Sequence, residues 1–434
     1  MDSAQLQALD LKHVWHPFTQ FREWSSMPPL MIESAEGCEL IDTDGVAYLD
    51  AIGSLWVGVH GHRHPVVDAA VKDQLAKVAH STFLGLSHRP GVELAQKLVE
   101  IAPGQLNRVF YSDSGSTAVE VALKMAFQAQ QQRGETQRYR FASLSEAYHG
   151  DTVGSVSVGG IDLFHGVYKP LLFDALNLDC PDFYEQEDAY VEEAKKRLDE
   201  VGDELVAIVV EPLVQGAAGM RMHSAGFLDA VIQHARSLGA LVIVDEVATG
   251  FGRTGTLFAS EQLATEPDLM CLGKGLTNGY LPLAVTLATE AVFEAFTGDH
   301  SKTFFHGHTY TANPLGCAAA LATLALFESE ETMRGVKDLE EVLQQALSPL
   351  ASRRDIRRVR QKGLMVGVEI LAPDGSPLSP SARGGHAVCM EARKHGVILR
   401  PLGDTVVMMP PLCMSSAQVQ RVVSVLEEVL DGRT

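Results

Sequence analysis

Lys274 lies in CLGKGLTNGY, residues 271–280, between two glycines and on the seam between two apolar runs. An ammonium at such a place loses hydration. That lowers its pKa and leaves a nucleophilic amine suited to Schiff-base chemistry with a carbonyl group. The bland alternative is a lysine snorkelling from a strand end. A Walker phosphate loop would need glycine at 268 and serine or threonine at 275, where the chain has Asp268 and Gly275. Asp245, in LVIVDEVATGFGRTG (241–255), ends another apolar run, where an ionised carboxylate is costly unless paired. SDSGST (112–117) follows a strand-like run and opens a helix-like one. Its amides form either an anion cradle or a plain helix cap. Tyr148, in EAYHGDT (146–152), can stack on a flat ligand or simply pack.

Other chemistries fit less well. GFGRTG (250–255) formally matches the dinucleotide fingerprint GxGxxG, but TLFASEQLATEPD after it is a poor candidate for the required crossover helix. HGHRH (60–64) spaces three histidines by two, yet Gly61 and Pro65 favour a turn into a helix and no cysteine or acid cluster adjoins it. No metal site is expected. The GxSxG elbow of serine hydrolases is absent.

The elements that must position these residues are short apolar runs alternating with helical patterns. RVFYSD (108–113), RYRFASLS (138–145), LVAIVVEP (205–212), LVIVDE (241–246) and LMCLGK (269–274) read as buried strands. In TAVEVALKMAFQAQ (117–130), Ala118, Val121, Ala122, Met125 and Ala129 share one helical face. Such alternation predicts an α/β fold with a mainly parallel sheet covered on both sides. Ligands then bind beyond the carboxyl ends of the strands. The chain divides into an N-terminal segment (1–60) with its own short strands and an Asp44-Gly45 turn, a large domain (61–329), and a small α+β domain (330–434). The last opens with a charged helix over 330–353, and GCAAALATLALF (316–327) reads as a buried helix.

The 434 residues carry 35 Lys+Arg against 55 Asp+Glu, a net charge of −20. That repels nucleic-acid phosphates and anionic lipid, so neither is an expected partner. No apolar run is long enough to span a membrane, no secretory leader is evident, and the six scattered cysteines suit reduced thiols in a cytosolic protein.

Taken together, the anion cradle, the aromatic, VDEVATGFGRTG, CLGKG at its distance and HGHTYTANP (306–314) resemble the class III, ornithine-transaminase-like branch of the pyridoxal-phosphate aminotransferases, from about Trp15 to Pro411. The resemblance implies a fold-type I transferase with a mostly parallel seven-stranded sheet. It implies pyridoxal 5′-phosphate as cofactor, a small-molecule amino donor and keto acceptor, and a homodimer with shared active sites. Lys274 would join the cofactor and shuttle a proton, and Asp245 would pair with the pyridinium nitrogen. Gly115 and Ser116 would take the phosphate. Tyr148 and Val247 would cover the two ring faces, and Gly307, His308 and Thr309 would reach the phosphate site of the other subunit. Glu211 sits where the family carries a strand-end glutamate, with its role left open.

Within the branch, WHPFTQ (15–20), GSLWVGVHGHRHP and RPLGD (400–404) resemble members that aminate 8-amino-7-oxononanoate in biotin synthesis. By that resemblance, Phe18 and Trp56 would wall the aliphatic chain and Arg400 would grip the carboxylate. Many such members carry Tyr where Phe18 stands and another near Val407. Both losses bear on the amino donor, S-adenosylmethionine or lysine. Three readings compete: a broad ω-amino-acid or amine:pyruvate transaminase, a nicotinamide oxidoreductase built on GFGRTG, and a non-enzymatic binding module.

Overall fold

The computed structural model describes residues 1–27, 29–379 and 382–433, without the side chains of 164 and 165. Its centre is a seven-stranded sheet. In chain order the strands are β1 (Leu106–Ser112), β2 (Arg140–Leu144), β3 (Ala175–Leu178), β4 (Leu205–Val210), β5 (Leu241–Asp245), β6 (Leu269–Leu272) and β7 (Ala284–Thr289). Their spatial order is β1-β7-β6-β5-β4-β2-β3. Strand β7 runs antiparallel to both of its neighbours, and the other pairs are parallel. The exception has a simple cause. Residues 273–283, joining β6 to β7, are too few for the helical crossover that a parallel return requires.

Every residue of β4, β5 and β6 is buried, as a sheet covered on both faces demands. Alternate side chains enter two cores. Ile208, Val210, Val242, Val244, Met270 and Leu272 join one that also holds residues of the helices Arg89–Ile101, Ala225–Ser237 and Pro314–Ser329. Val209, Ile243, Leu269 and Cys271 join the other, against Ala118, Ala122 and Ala129 of the helix Gly115–Gln132. Of the face expected for that helix, Ala118, Val121, Ala122 and Ala129 are buried, and Met125 is half-buried against the same core.

The expected helix over 330–353 is shorter: it spans Thr332–Leu347, followed by a 3-10 turn Leu350–Ser352 after Pro349. A four-stranded sheet in the order Ile356–Lys362, Met365–Ile370, Thr405–Met408, Arg400–Leu402 forms the C-terminal unit. The N-terminal hairpin strands form a second sheet, and its last strand, Ala47–Asp50, takes Val397–Ile398 as a parallel neighbour. The two ends of the chain are thus joined by strand pairing. All six cysteines are unpaired, and all but Cys413 are buried. No helix among the described residues is long and apolar enough to cross a membrane.

Candidate active site

Because β2, β4, β5 and β6 are parallel, the loops after Leu144, Val210, Asp245 and Leu272 leave the same edge of the sheet. The antiparallel pairing of Ser112 with Ala284 and of Leu272 with Val285 brings the loop after β1 to that edge as well. A cavity of about 440 Å³ opens there. Its walls include Gly115, Ser116, Tyr148, Glu211, Asp245, Val247 and Lys274, together with Phe18, Leu55, Trp56, Ala217, Ala248, Arg400 and Leu402. Nine of the expected site residues therefore meet in one chamber of the size that holds a cofactor and a small substrate. Gly307, His308 and Thr309 do not line it. They lie apart in this chain, with Gly307 and Thr309 exposed.

Lys274 opens a short 3-10 turn with φ of 41°, in the left-handed region that non-glycine residues avoid. Its amine makes no hydrogen bond or ion pair with the protein among the described residues, and it lies 5.1 Å from the Trp56 ring centroid. The surrounding protein strips away water and so lowers its pKa, with the charges of Asp245 and Glu211 pulling the other way. The absent side chain of Gly115 lets the helix start close against Val247, in the loop after β5. A Cβ on Gly115 would lie 2.5 Å from Val247 Cγ1, and one on Gly273 would lie 3.7 Å from the Gly115 Cα.

Asp245 is buried but not uncompensated. Its Oδ1 accepts the Val247 amide at 3.0 Å and its Oδ2 lies 2.8 Å from His149 Nδ1, in a fully buried pair. Burial opposes a charge on that imidazole. The hydrogen bond to Asp245 and the charges of Asp245 and Glu211 outweigh it and raise its pKa. His149 was not singled out by sequence reasoning; its only signal is its place beside Tyr148 at a strand end. Replacing His149 with alanine is expected to weaken cofactor retention roughly 10- to 100-fold, the usual weight of a hydrogen bond to a charged group. Titration followed by absorbance checks this.

Glu211 accepts the Tyr148 amide at 3.0 Å and the Gly216 amide at 3.2 Å, and so holds the loop that carries Tyr148. Burial pushes its pKa up from 4.5 to about 7. Between those values the folded chain keeps a proton that the unfolded chain has released, so this group destabilises the fold as pH rises. Glu211→Gln is therefore expected to flatten the fall in Tm of cofactor-free protein across that window. An unchanged pH profile would exclude the effect.

The helix Gly115–Gln132 is capped by Ser114, whose hydroxyl accepts the Thr117 amide. Its first-turn amides have no partner within the helix. Ser116 Oγ accepts the Thr152 amide at 3.0 Å and pairs with Thr152 Oγ1 at 2.8 Å, so loop 148–152 lies directly on the helix start. Tyr148 Oη donates to Asp151 at 2.8 Å.

The arrangement offers a free amine, a buried carboxylate braced by an imidazole, an anion-receiving helix start and an aromatic. It fits a flat, phosphorylated aldehyde. The Aminotransferase class-III family model matches residues 20–430. The chain is a class III aminotransferase. An adenosylmethionine-8-amino-7-oxononanoate aminotransferase from Nitratidesulfovibrio vulgaris is 50% identical over 97% of this chain and 80% of the relative. The crystal structure of the enzyme of that name from Methanocaldococcus jannaschii superposes with a TM-score of 0.96 at 39% identity, covering 100% of both chains. A PLP-bound amine transaminase from an uncultivated Pseudomonas species gives a TM-score of 0.91 at 34% identity, over 96% of this chain and 98% of the other.

As a class III aminotransferase the protein depends on pyridoxal phosphate, and the residues present suit it. The nicotinamide reading of the sequence falls on geometry. GFGRTG is no dinucleotide loop: only a 3-10 turn, Ala259–Gln262, follows it. Its Arg253 is buried and donates to the carbonyls of Trp56, Gly58, Met409 and Pro410. That ties the loop after β5 to segments near both ends of the chain. Of the three histidines of HGHRH, His60 and His64 both approach Glu330, whereas His62 approaches Asp50.

Proposed function

We propose that this aminotransferase converts 8-amino-7-oxononanoate to 7,8-diaminononanoate in biotin biosynthesis, with S-adenosylmethionine or lysine as amino donor. One observation carries the choice of acceptor. Arg400 stands in the same cavity as Lys274 but has no ion pair among the described residues, and apolar Phe18, Leu55, Trp56, Ala217, Ala248 and Leu402 lie in the walls with it. An acceptor with a carboxylate at one end of an aliphatic chain and a ketone near the other matches that layout. The 50% identical relative carries the name of this reaction.

Bound pyridoxal phosphate supplies an aldehyde that takes up the amino group and a ring that spreads the charge of the reacting carbon. The residues around it divide the remaining work. The Lys274 amine would hold the cofactor at its aldehyde carbon and would carry the proton that must move between that carbon and the substrate carbon. Lowered basicity suits the amine to both tasks. Asp245 would pair with the pyridine nitrogen and keep that atom protonated. The Gly115 and Ser116 amides would receive the phosphate, and Tyr148 and Val247 would cover the two ring faces. The partner subunit's Gly307, His308 and Thr309 complete the phosphate site in a homodimer. Residues 61–329 hold the cofactor, and 1–60 and 330–434 close the substrate side. The unpaired cysteines suit a reducing cytoplasm.

Comparing 8-amino-7-oxononanoate with pyruvate as acceptor tests the reading. A clear preference for pyruvate would favour a broad amine transaminase; the solved neighbours include an omega transaminase and an amine transaminase. Single-turnover loss of the cofactor's visible absorption with S-adenosylmethionine and with lysine identifies the donor.

A further inference from the structure

Three successive non-glycine residues, Ser54, Leu55 and Trp56, have φ of 47°, 67° and 74°, after Gly53 at 51°. L-residues avoid this left-handed turn because Cβ crowds the following carbonyl oxygen. It persists only where the surroundings over-determine it. Two buried charged groups do so here, one at each end.

Asp50 ends the strand Ala47–Asp50, and its side chain has no exposed surface. Its Oδ2 accepts the Ser54 hydroxyl at 2.6 Å and lies 3.3 Å from His62 Nε2, while its Oδ1 accepts the Ile52 amide at 3.4 Å. His62 is itself fixed by paired backbone bonds with Gly37, at 2.7 and 3.1 Å. At the far end of the turn, Arg253 donates to the carbonyls of Trp56 and Gly58 at 3.3 and 2.6 Å. The product is the placement of the Trp56 ring 5.1 Å from the Lys274 amine. The indole N–H is buried without an acceptor among the described residues. The same strand end also sets the opposite wall: Asp50 pairs with Ile398, two residues before Arg400.

We propose that Asp50 is a positioning residue for the substrate cavity, its carboxylate holding residues 53–56 in the left-handed turn that sets the Trp56 indole beside Lys274. The inference rests on assigning this cavity to the keto acceptor. Once the carboxylate is lost, the turn relaxes towards ordinary backbone angles and the indole leaves the wall. A merely structural Asp50 would instead lower Tm and leave the kinetics of the folded enzyme unchanged.

The test uses full-length, cofactor-loaded enzyme carrying Asp50→Asn, Trp56→Ala or both. Asp50→Asn is expected to raise the acceptor KM about tenfold, with kcat changed less than about threefold, and the double variant should be no worse than Trp56→Ala alone. Tryptophan emission should also shift on Asp50→Asn, and that shift should vanish when Trp56 is replaced by phenylalanine. An unchanged KM and emission, or an effect that adds in full to that of Trp56→Ala, would overturn the proposal. If Asp50→Asn fails to fold, Ser54→Ala removes the 2.6 Å bond alone and is read by the same outcomes. Should wild-type enzyme use pyruvate and not 8-amino-7-oxononanoate, the substrate assignment fails, yet the same cycle run with pyruvate still decides the role of Asp50.

Discussion

Replacing Lys274 with alanine is expected to lower turnover by roughly 10⁴-fold or more and to abolish the visible absorption band of the cofactor-loaded protein. Both effects follow from one amine. It is the lysine of the cavity, it has no partner in the protein among the described residues, and its surroundings lower its pKa. No other cavity side chain can take over either the link to the cofactor or the proton transfer at the adjacent carbon. Stability should change little, because the side chain is half-buried and faces the chamber. Alanine would inherit the left-handed φ of 41° at a cost of about 1–2 kcal/mol. A folded Lys274→Ala protein with an unchanged absorption band and turnover would remove Lys274 from the chemistry.

Asp245→Asn is expected to cost roughly 10²- to 5 × 10³-fold in kcat/KM, corresponding to the 3–5 kcal/mol lost when one partner of a buried ion pair is removed. The carboxylate is 5% exposed and already braced by the Val247 amide and His149, so its geometry should survive as asparagine while its charge is lost. A pyridine nitrogen facing a neutral amide loses the partner that keeps it protonated, and the ring becomes a poorer electron sink. The substitution should also leave His149 without its charged partner. His149→Ala and Asp245→Asn should therefore combine to less than the product of their separate effects. Full additivity, or a near-native Asp245→Asn enzyme, would contradict the assignment.

Several features could be read directly from the chain. Asp245 and Lys274 each stand just beyond a short, wholly apolar run, and each run is a fully buried strand whose carboxyl end faces the cavity. The small-residue stretch SDSGST caps and opens a long helix, as serine and glycine at that point favour. Arg400 carries no such mark. It lies on a half-buried strand of the C-terminal unit and enters the cavity only because Val397–Ile398 pairs with Ala47–Asp50. GFGRTG is the converse case: a pattern that formally matches the dinucleotide fingerprint serves to bury Arg253 among four carbonyls.

By itself, the sequence determined the alternation of strands and helices, the seams where reactive side chains leave the sheet, and the types of those side chains. These depend on local apolar runs, turn residues and caps, which act over a few neighbouring positions. Tertiary structure alone decided that His149 braces Asp245, that Glu211 holds the loop of Tyr148, and that Asp50 and Arg253 clamp the turn carrying Trp56. Each of those contacts joins separate elements of the fold. A buried charge must find a partner somewhere, but which one is set by strand order and register, and no local pattern records that.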